Sequence, residues 1–266
     1  MGFGIVIAMP RFAANLAWLF TEQPFLDRFA AARRAGFTAV EFPTPYDHPA
    51  AEIAEQLREH ELKCVLFNLP MGDKAKGDFG IACRPGREDE FRDGVAQAID
   101  YARALRPERI NCIAGVARPG EDRRELEDRL VDHLRFASRE FKAAKLEMVI
   151  EPLNVKDAPG FLIPRNDDGA RVIEAVGADN LGLQCDLYHV AMMGDDPSSI
   201  LARLRGIIRH IQFADVPGRN EPGTGTLPIA RYFDEIDGLG YDGWVAAEYR
   251  PSKPTGQTLH WMPSKA

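Results

Sequence analysis

No two of the four cysteines, Cys64, Cys83, Cys112 and Cys185, form a C-x-x-C pair. That argues against a zinc site or a disulfide framework. Three lie in or beside apolar runs (KCVLFNL, INCIAG, LQCDLY), so the expectation is buried free thiols in a reducing cytosol. Basic charge is also scarce: 33 Lys and Arg against 40 Asp and Glu leave a net charge of −7. A nucleic-acid binder needs a basic face to neutralise phosphates, so that class is disfavoured. Long uncharged apolar runs are missing. The apolar start, MGFGIVIAMPRF, has no basic segment before it and is too short to span a bilayer. Residues 1–10 are therefore expected as an extension or leading segment, and the protein as cytoplasmic with no membrane partner. No Pro/Ser linker or shift in composition divides the chain, so residues 1–266 are expected as one domain.

What the chain does have is alternation. Short apolar runs suited to strands buried on both faces occur at 12–17, 38–42, 63–69, 109–115, 146–151, 181–186, 207–213 and 243–248. Amphipathic segments lie between them, at 25–36, 48–62, 88–105, 123–144, 166–177 and 228–240. A last helix is expected within TGQTLHWM, 255–262. The repeat of about 30 residues is the size of a βα unit. Eight such units suit a (β/α)8 TIM barrel; an open doubly wound sheet is the second architecture.

A barrel of this kind carries its site at the C-terminal ends of its strands. Four consecutive strands end there in an oxygen-bearing side chain: Glu151 in VIEPLN, Asp186 in LQCDLYH, Gln212 in HIQFAD and Glu248 in VAAEYR. The gaps are 35, 26 and 36 residues, about one unit each. Three carboxylates at one mouth repel unless a cation or shared proton compensates. With the Gln212 amide they form an all-oxygen set suited to a hard divalent ion, Mg2+ or Mn2+. The loop after Gln212, FADVPGRNEPGTG, is rich in glycine and proline. It has neither a P-loop lysine nor G-x-G-x-x-G spacing, so it is not read as a phosphate loop.

The pieces FNLPMGD (67–73), GIACRPGREDEFRDGV (80–95), EPLN (151–154), CDLYH (185–189), QFADVPGRNEPGTG (212–225) and GYDGWVAAEY (240–249) resemble the hydroxypyruvate isomerases. These are a branch of the xylose isomerase-like barrels that also holds 2-oxo-tetronate isomerases and ketose 3-epimerases. The likeness runs from about residue 11 to near the end. It implies that Glu151 and Glu248 are paired acid/base glutamates, and that Glu151, Asp186, Gln212 and Glu248 are metal ligands. Related sugar epimerases generally carry histidine at the Gln212 position, so glutamine points to the hydroxypyruvate branch.

The implied reaction interconverts hydroxypyruvate and 2-hydroxy-3-oxopropanoate (tartronate semialdehyde) through a cis-enediolate, chemistry of glyoxylate and carbohydrate metabolism. It needs a base, an acid and positive charge beside two developing oxygens. In related enzymes a histidine placed like His189 contacts substrate oxygens; a loop histidine is the alternative. Arg219 can hold a substrate carboxylate or lie on the surface. Asn68, Asn111 and Asn154 each bind substrate or cap their own loops. Glu41 is a weaker candidate for orienting a neighbour. Trp18, Phe20 and Tyr46 cover the mouth or pack in the core. His48, His60 and His133 are expected at the surface, and His210 in the core or behind the site. The expected partner is a small anionic hydroxy-keto acid, with homo-oligomerisation left open. The alternatives are a 2-oxo-tetronate isomerase, a ketose 3-epimerase, a non-catalytic sugar-acid sensor and, distantly, a metal-dependent abasic-site endonuclease.

Overall fold

A computed structural model describes residues 9–263. Most of the 1–10 segment lies outside the described residues. Eight parallel strands close on themselves in chain order. They are β1 (Arg11–Asn15), β2 (Ala39–Glu41), β3 (Lys63–Asn68), β4 (Arg109–Cys112), β5 (Glu147–Ile150), β6 (Leu181–Asp186), β7 (Ile208–Phe213) and β8 (Trp244–Ala247). Closure pairs β1 with β8 through Arg11↔Trp244 to Ala14↔Ala247. The open-sheet alternative is thereby excluded.

Helices α1 (Asp27–Ala35), α2 (Ala50–Glu59), α3 (Glu88–Leu105), α4 (Arg123–Ala143) and α5 (Asn166–Val176) follow the first five strands. Their apolar faces pack on the outside of the barrel, and α3, for example, buries Phe91, Val95, Ala98, Ala102 and Leu105. Two short helices, α6 (Leu187–Met192) and α7 (Pro197–Leu204), link β6 to β7, and α8 (Ile229–Gly238) links β7 to β8. Among the described residues the chain after β8 holds only a 3-10 turn, Thr255–Gln257, in place of the expected helix over 255–262. Pro254 and Gly256 disfavour a helix there. Instead the segment lays Trp261 against Phe12 and Phe213, with ring centroids 5.1 and 4.9 Å apart.

Inside the barrel, small apolar side chains (Ala13, Ala39, Ala246) fill the space with Leu66, Val149 and Trp244. All four cysteines are free and buried. One histidine departs from expectation. His133 is buried, stacks on Phe91 at 4.6 Å and contacts the Ala82 carbonyl through Nδ1 at 2.7 Å. It sits on the core-facing side of α4, so its helical position alone did not place it at the surface.

The loop from β7 to α8 is organised by Asp215. Its Oδ1 accepts from the backbone N–H groups of Val216 and Leu227 at 2.9 and 3.0 Å. Its Oδ2 accepts from those of Gly223 and Gly225, both at 2.9 Å. Glycine is required at 225, because a Cβ there would lie 1.9 Å from the Val216 carbonyl. A single carboxylate thus shapes the loop that carries Arg219. Removing it in Asp215→Ala leaves four N–H groups without their acceptor. Several can turn to water, so the expected loss is about 2 kcal/mol. Urea unfolding should show a lower midpoint at unchanged slope; no shift in midpoint would mean the loop holds its own shape.

Candidate active site

Every strand delivers a polar side chain to the same end of the barrel: Asn15, Glu41, Asn68, Asn111, Glu151, Asp186, Gln212 and Glu248 in strand order. Glu151 and Glu248 directly follow β5 and β8. Asn15 pairs in register with Glu41, Asn68 with Asn111, and Asp186 with Gln212. Barrel tilt accounts for the steps between these pairs. Strand alternation turns all eight inward, because residues two apart share a face.

The lower part of this ring is a hydrogen-bond network centred on Glu41. Glu41, fully buried, accepts from Asn15 Nδ2 at 2.8 Å and from Gln212 Nε2 at 2.7 Å. His210 Nε2 lies 2.6 Å from its other oxygen. A carboxylate facing the amide fixes the amide's orientation, so Gln212 presents its oxygen the other way, where Gln184 Nε2 donates at 2.6 Å. A carbonyl oxygen has two lone pairs, so one remains for a cation. Asn15 Nδ2 also donates to Glu248 Oε1 at 3.0 Å, tying this layer to the one above.

The upper part surrounds a cavity of about 380 Å³ whose wall includes Trp18, Asn68, Lys74, Glu151, His189, Arg219 and Glu248. Arg219 Nη2 donates to Glu248 Oε2 at 2.6 Å and to Asp186 Oδ2 at 3.2 Å. Its guanidinium lies 4.7 Å from both the Trp18 and Tyr188 rings. The residue adopts φ 54°, a left-handed conformation that costs a non-glycine residue about 1–3 kcal/mol. Its carbonyl accepts from Arg250 N–H at 2.7 Å. Asn111 Nδ2 donates to Glu151 Oε2 at 3.0 Å. His189 Nε2 lies 3.4 Å from Asp186 Oδ2.

Glu151, Glu248, Asp186, Arg219 and His189 therefore come together, with Gln212 beneath them. Asn68 lines the cavity and Asn111 reaches it through Glu151. Asn154 does neither. It is fully buried, and its side chain is spent on Lys156, Asp157 and His189. Of the three aromatics, Trp18 lies on the wall, while Phe20 and Tyr46 pack against Phe37 and Phe67. Four polar neighbours were not singled out in the sequence: Asn15, Gln184, Lys74 and Asp157. Asn15 carries the same strand-end signal as the four residues that were. Lys74 follows the Gly72 turn, and no periodicity places it at the mouth. A second hollow, of about 490 Å³, is lined by Arg109, Arg209 and Tyr241. It lies by the N-terminal ends of β4 and β7, away from the carboxylates.

Burial and crowding shift the charges. Burial, then Glu248 and Asp186, hold the Glu151 carboxyl well above its usual range. Burial raises Glu248 to about 8, against the pull of Arg219, and Asp186 to about 6. Burial also keeps His189 neutral, well below its usual value, with Arg219 adding to the effect. For Arg219 itself burial acts downward, but Glu248, Asp186 and Glu151 outweigh it and hold the guanidinium charged.

The arrangement fits a divalent cation. Asp186 and Glu248 already converge on one positively charged nitrogen, so their oxygens mark a place for positive charge. Glu151 and Asp186, with His189, each offer an atom within 4.8 Å of the others. Hard carboxylate and amide oxygens dominate the set.

A family model for the xylose isomerase-like TIM barrel matches residues 29–265. Over 96% of the chain and 98% of the relative, it is 43% identical to a 2-oxo-tetronate isomerase of Cupriavidus necator. At the same coverage it is 42% identical to a hydroxypyruvate isomerase of Escherichia coli. A crystal structure described as AP endonuclease, family 2, from Brucella melitensis superposes with a TM-score of 0.93 at 40% identity, over 95% of this chain and 98% of that one. Among the described residues no helix is long and apolar enough to cross a membrane.

The raised Glu248 pKa makes stability pH-dependent. An unfolded glutamate ionises near pH ~4.3, while the folded group holds its proton to about 8. Between these values the folded state binds the extra proton, so this group's contribution falls as pH rises. Glu248→Gln lacks that loss. For EDTA-treated protein, the Tm of Glu248→Gln minus that of wild type should rise from pH 5 to pH 8 and then level off. A pH-independent difference would show Glu248 ionised throughout.

Proposed function

This chain belongs to the xylose isomerase-like TIM barrel family, among the hydroxypyruvate and 2-oxo-tetronate isomerases, and from that premise we propose that it interconverts hydroxypyruvate and 2-hydroxy-3-oxopropanoate. The observation that carries the reading is the pair Glu151 and Glu248, on the wall of one cavity, with Glu248 raised to about 8 and Glu151 held well above its usual range. A group that must take a carbon-bound proton and later return one works best when its pKa lies near the working pH. One glutamate removes the proton from the hydroxymethyl carbon of hydroxypyruvate, giving a cis-enediolate. A proton then returns to the neighbouring carbon, and the hydroxyl proton moves between the two oxygens.

Glu151, Asp186, Gln212 and Glu248 are the residues that would hold a divalent ion, Mg2+ or Mn2+. When bound, it supplies Lewis-acid charge beside the developing oxygens. Asn111 steers Glu151, and Asn15 steers Glu248. Trp18 and Tyr188 keep Arg219 in place and limit water near it. The cations on the cavity wall are Lys74 and Arg219, the latter engaged by Asp186 and Glu248 until a bound ion takes over those carboxylates. A substrate carboxylate can therefore be met from both sides of the mouth.

A 2-oxo-tetronate substrate is the second reading, favoured by the Cupriavidus necator relative. Its carboxylate would use the same two cations, so a substrate panel separates the two acids. A ketose 3-epimerase would prefer a neutral ketohexose. Cleavage of abasic DNA with added metal tests the nuclease alternative, which the net charge of −7 disfavours.

Two outcomes are expected. Solvent deuterium should enter hydroxypyruvate in the presence of Mg2+ or Mn2+, and Glu151→Gln and Glu248→Gln should each abolish both exchange and turnover. Near-normal exchange in both variants would sink the acid/base assignment. Lys74→Met should raise KM for hydroxypyruvate about tenfold while kcat changes little, and Lys74→Arg should restore it. An unchanged KM would remove Lys74 from the binding site.

A further inference from the structure

We propose that Asn154 is a positioning residue that fixes the tautomer of His189, so that His189 presents Nε2–H to the cavity and donates to a substrate oxygen rather than holding a metal. The substrate part rests on the isomerase reading above; the tautomer part does not. His189 lies on α6 three residues after Asp186, is buried, and faces the cavity. Proximity alone groups its ring nitrogen with Glu151 and Asp186 as a metal triad. The hydrogen bonds around the ring exclude that role.

The Asn154 carbamoyl can point only one way. Its Oδ1 accepts from the backbone N–H groups of Lys156 and Asp157, both at 3.0 Å, in the turn that follows β5. Its Nδ2 donates to Asp157 Oδ2 at 3.0 Å. Turning the group over would set Nδ2 against two N–H donors and Oδ1 against a carboxylate. The remaining Nδ2 proton therefore points at His189 Nδ1, 2.7 Å away. The backbone N–H of Asn154 points at the same nitrogen from 3.3 Å. Two donors aimed at Nδ1 leave it as an acceptor. A neutral imidazole has one proton, so it must sit on Nε2.

Nε2 faces Asp186 Oδ2 at 3.4 Å, a long contact for a hydrogen bond. The donor is thus available for a second acceptor within the cavity. A nitrogen that carries a proton has no lone pair for a metal. His189 therefore leaves the ligand set, and the oxygens of Glu151, Asp186, Gln212 and Glu248 remain. The geometry also explains why Asn154 is fully buried although it lies next to the site: it acts through His189 and not on the substrate.

The test uses the full-length protein labelled with 15N-histidine. Two-bond 1H–15N correlations report which imidazole nitrogen carries the proton. Among the six histidines, the His189 pattern is the one lost in His189→Gln. The wild-type protein should show a protonated Nε2 and a bare Nδ1 at His189, unchanged on saturation with Mg2+. Asn154→Asp offers an acceptor in place of the Nδ2 donor, so the proton should move to Nδ1, and kcat for hydroxypyruvate should fall about 10²-fold with a smaller change in KM. A wild-type Nδ1–H pattern, or loss of the Nε2 proton on adding Mg2+, overturns the proposal even if Asn154→Asp does not fold. A folded Asn154→Asp that keeps Nε2–H overturns the part assigned to Asn154. If the spectra are as expected but wild type does not turn over hydroxypyruvate, the substrate reading fails and the tautomer assignment stands.

Discussion

Three carboxylates buried at one end of a closed barrel set the terms for everything around them. Burial raises the proton affinity of Glu151, Asp186 and Glu248; Asp186 adds to the effect on both glutamates, and Glu248 adds to that on Glu151. Without added metal, the compensation is a single guanidinium. Arg219 reaches two of the three, which requires a strained left-handed backbone and a rigid loop. Asp215 supplies the rigidity from beneath, and Trp18 and Tyr188 supply two aromatic faces. A feature at the loop base and one in the turn after β1 thus serve one electrostatic requirement.

Beneath the charged layer lies a layer in which direction matters more than charge. Glu41 takes donors from β1 and two positions of β7, and thereby fixes which way the Gln212 amide faces. On the proposed ligand set, an amide left free to rotate would turn its NH2 group toward the ion and repel it. Asn15 then carries the order upward to Glu248. The small side chains of Ala13, Ala39 and Ala246 leave room for this network inside the barrel.

Periodicity exposed the barrel because each buried strand is a short apolar run ended by a polar residue. The same signal marked Glu151, Asp186, Gln212 and Glu248, since one unit's length separates each from the next. It could equally have marked Asn15, which ends the first strand. Roles that depend on a partner's orientation were not legible. Asn154 looks like a substrate-facing amide in EPLN until its turn shows where its oxygen is spent. His133 looks like a surface histidine until the face of α4 is known. Lys74 reaches the cavity from a loop, and the missing last helix reflects Trp261 finding an aromatic site in the core.

The balance of charge bears on which substrates such a mouth can take. Lys74 and Arg219 face Glu151, Asp157 and Glu248 on the same wall, with Asp186 just behind. An anionic acid entering the metal-free cavity finds the nearest guanidinium already engaged by Asp186 and Glu248. On the proposed ligand set, a divalent ion would displace the protons of Glu151 and Glu248, take over the pairing of Asp186 and Glu248, and release the claim on Arg219. Metal and anionic substrate are then linked: each makes the other easier to hold. A neutral ketose gains little from that linkage. The arginine that holds the metal-free site together is, on this account, also the group that the metal frees for an acid.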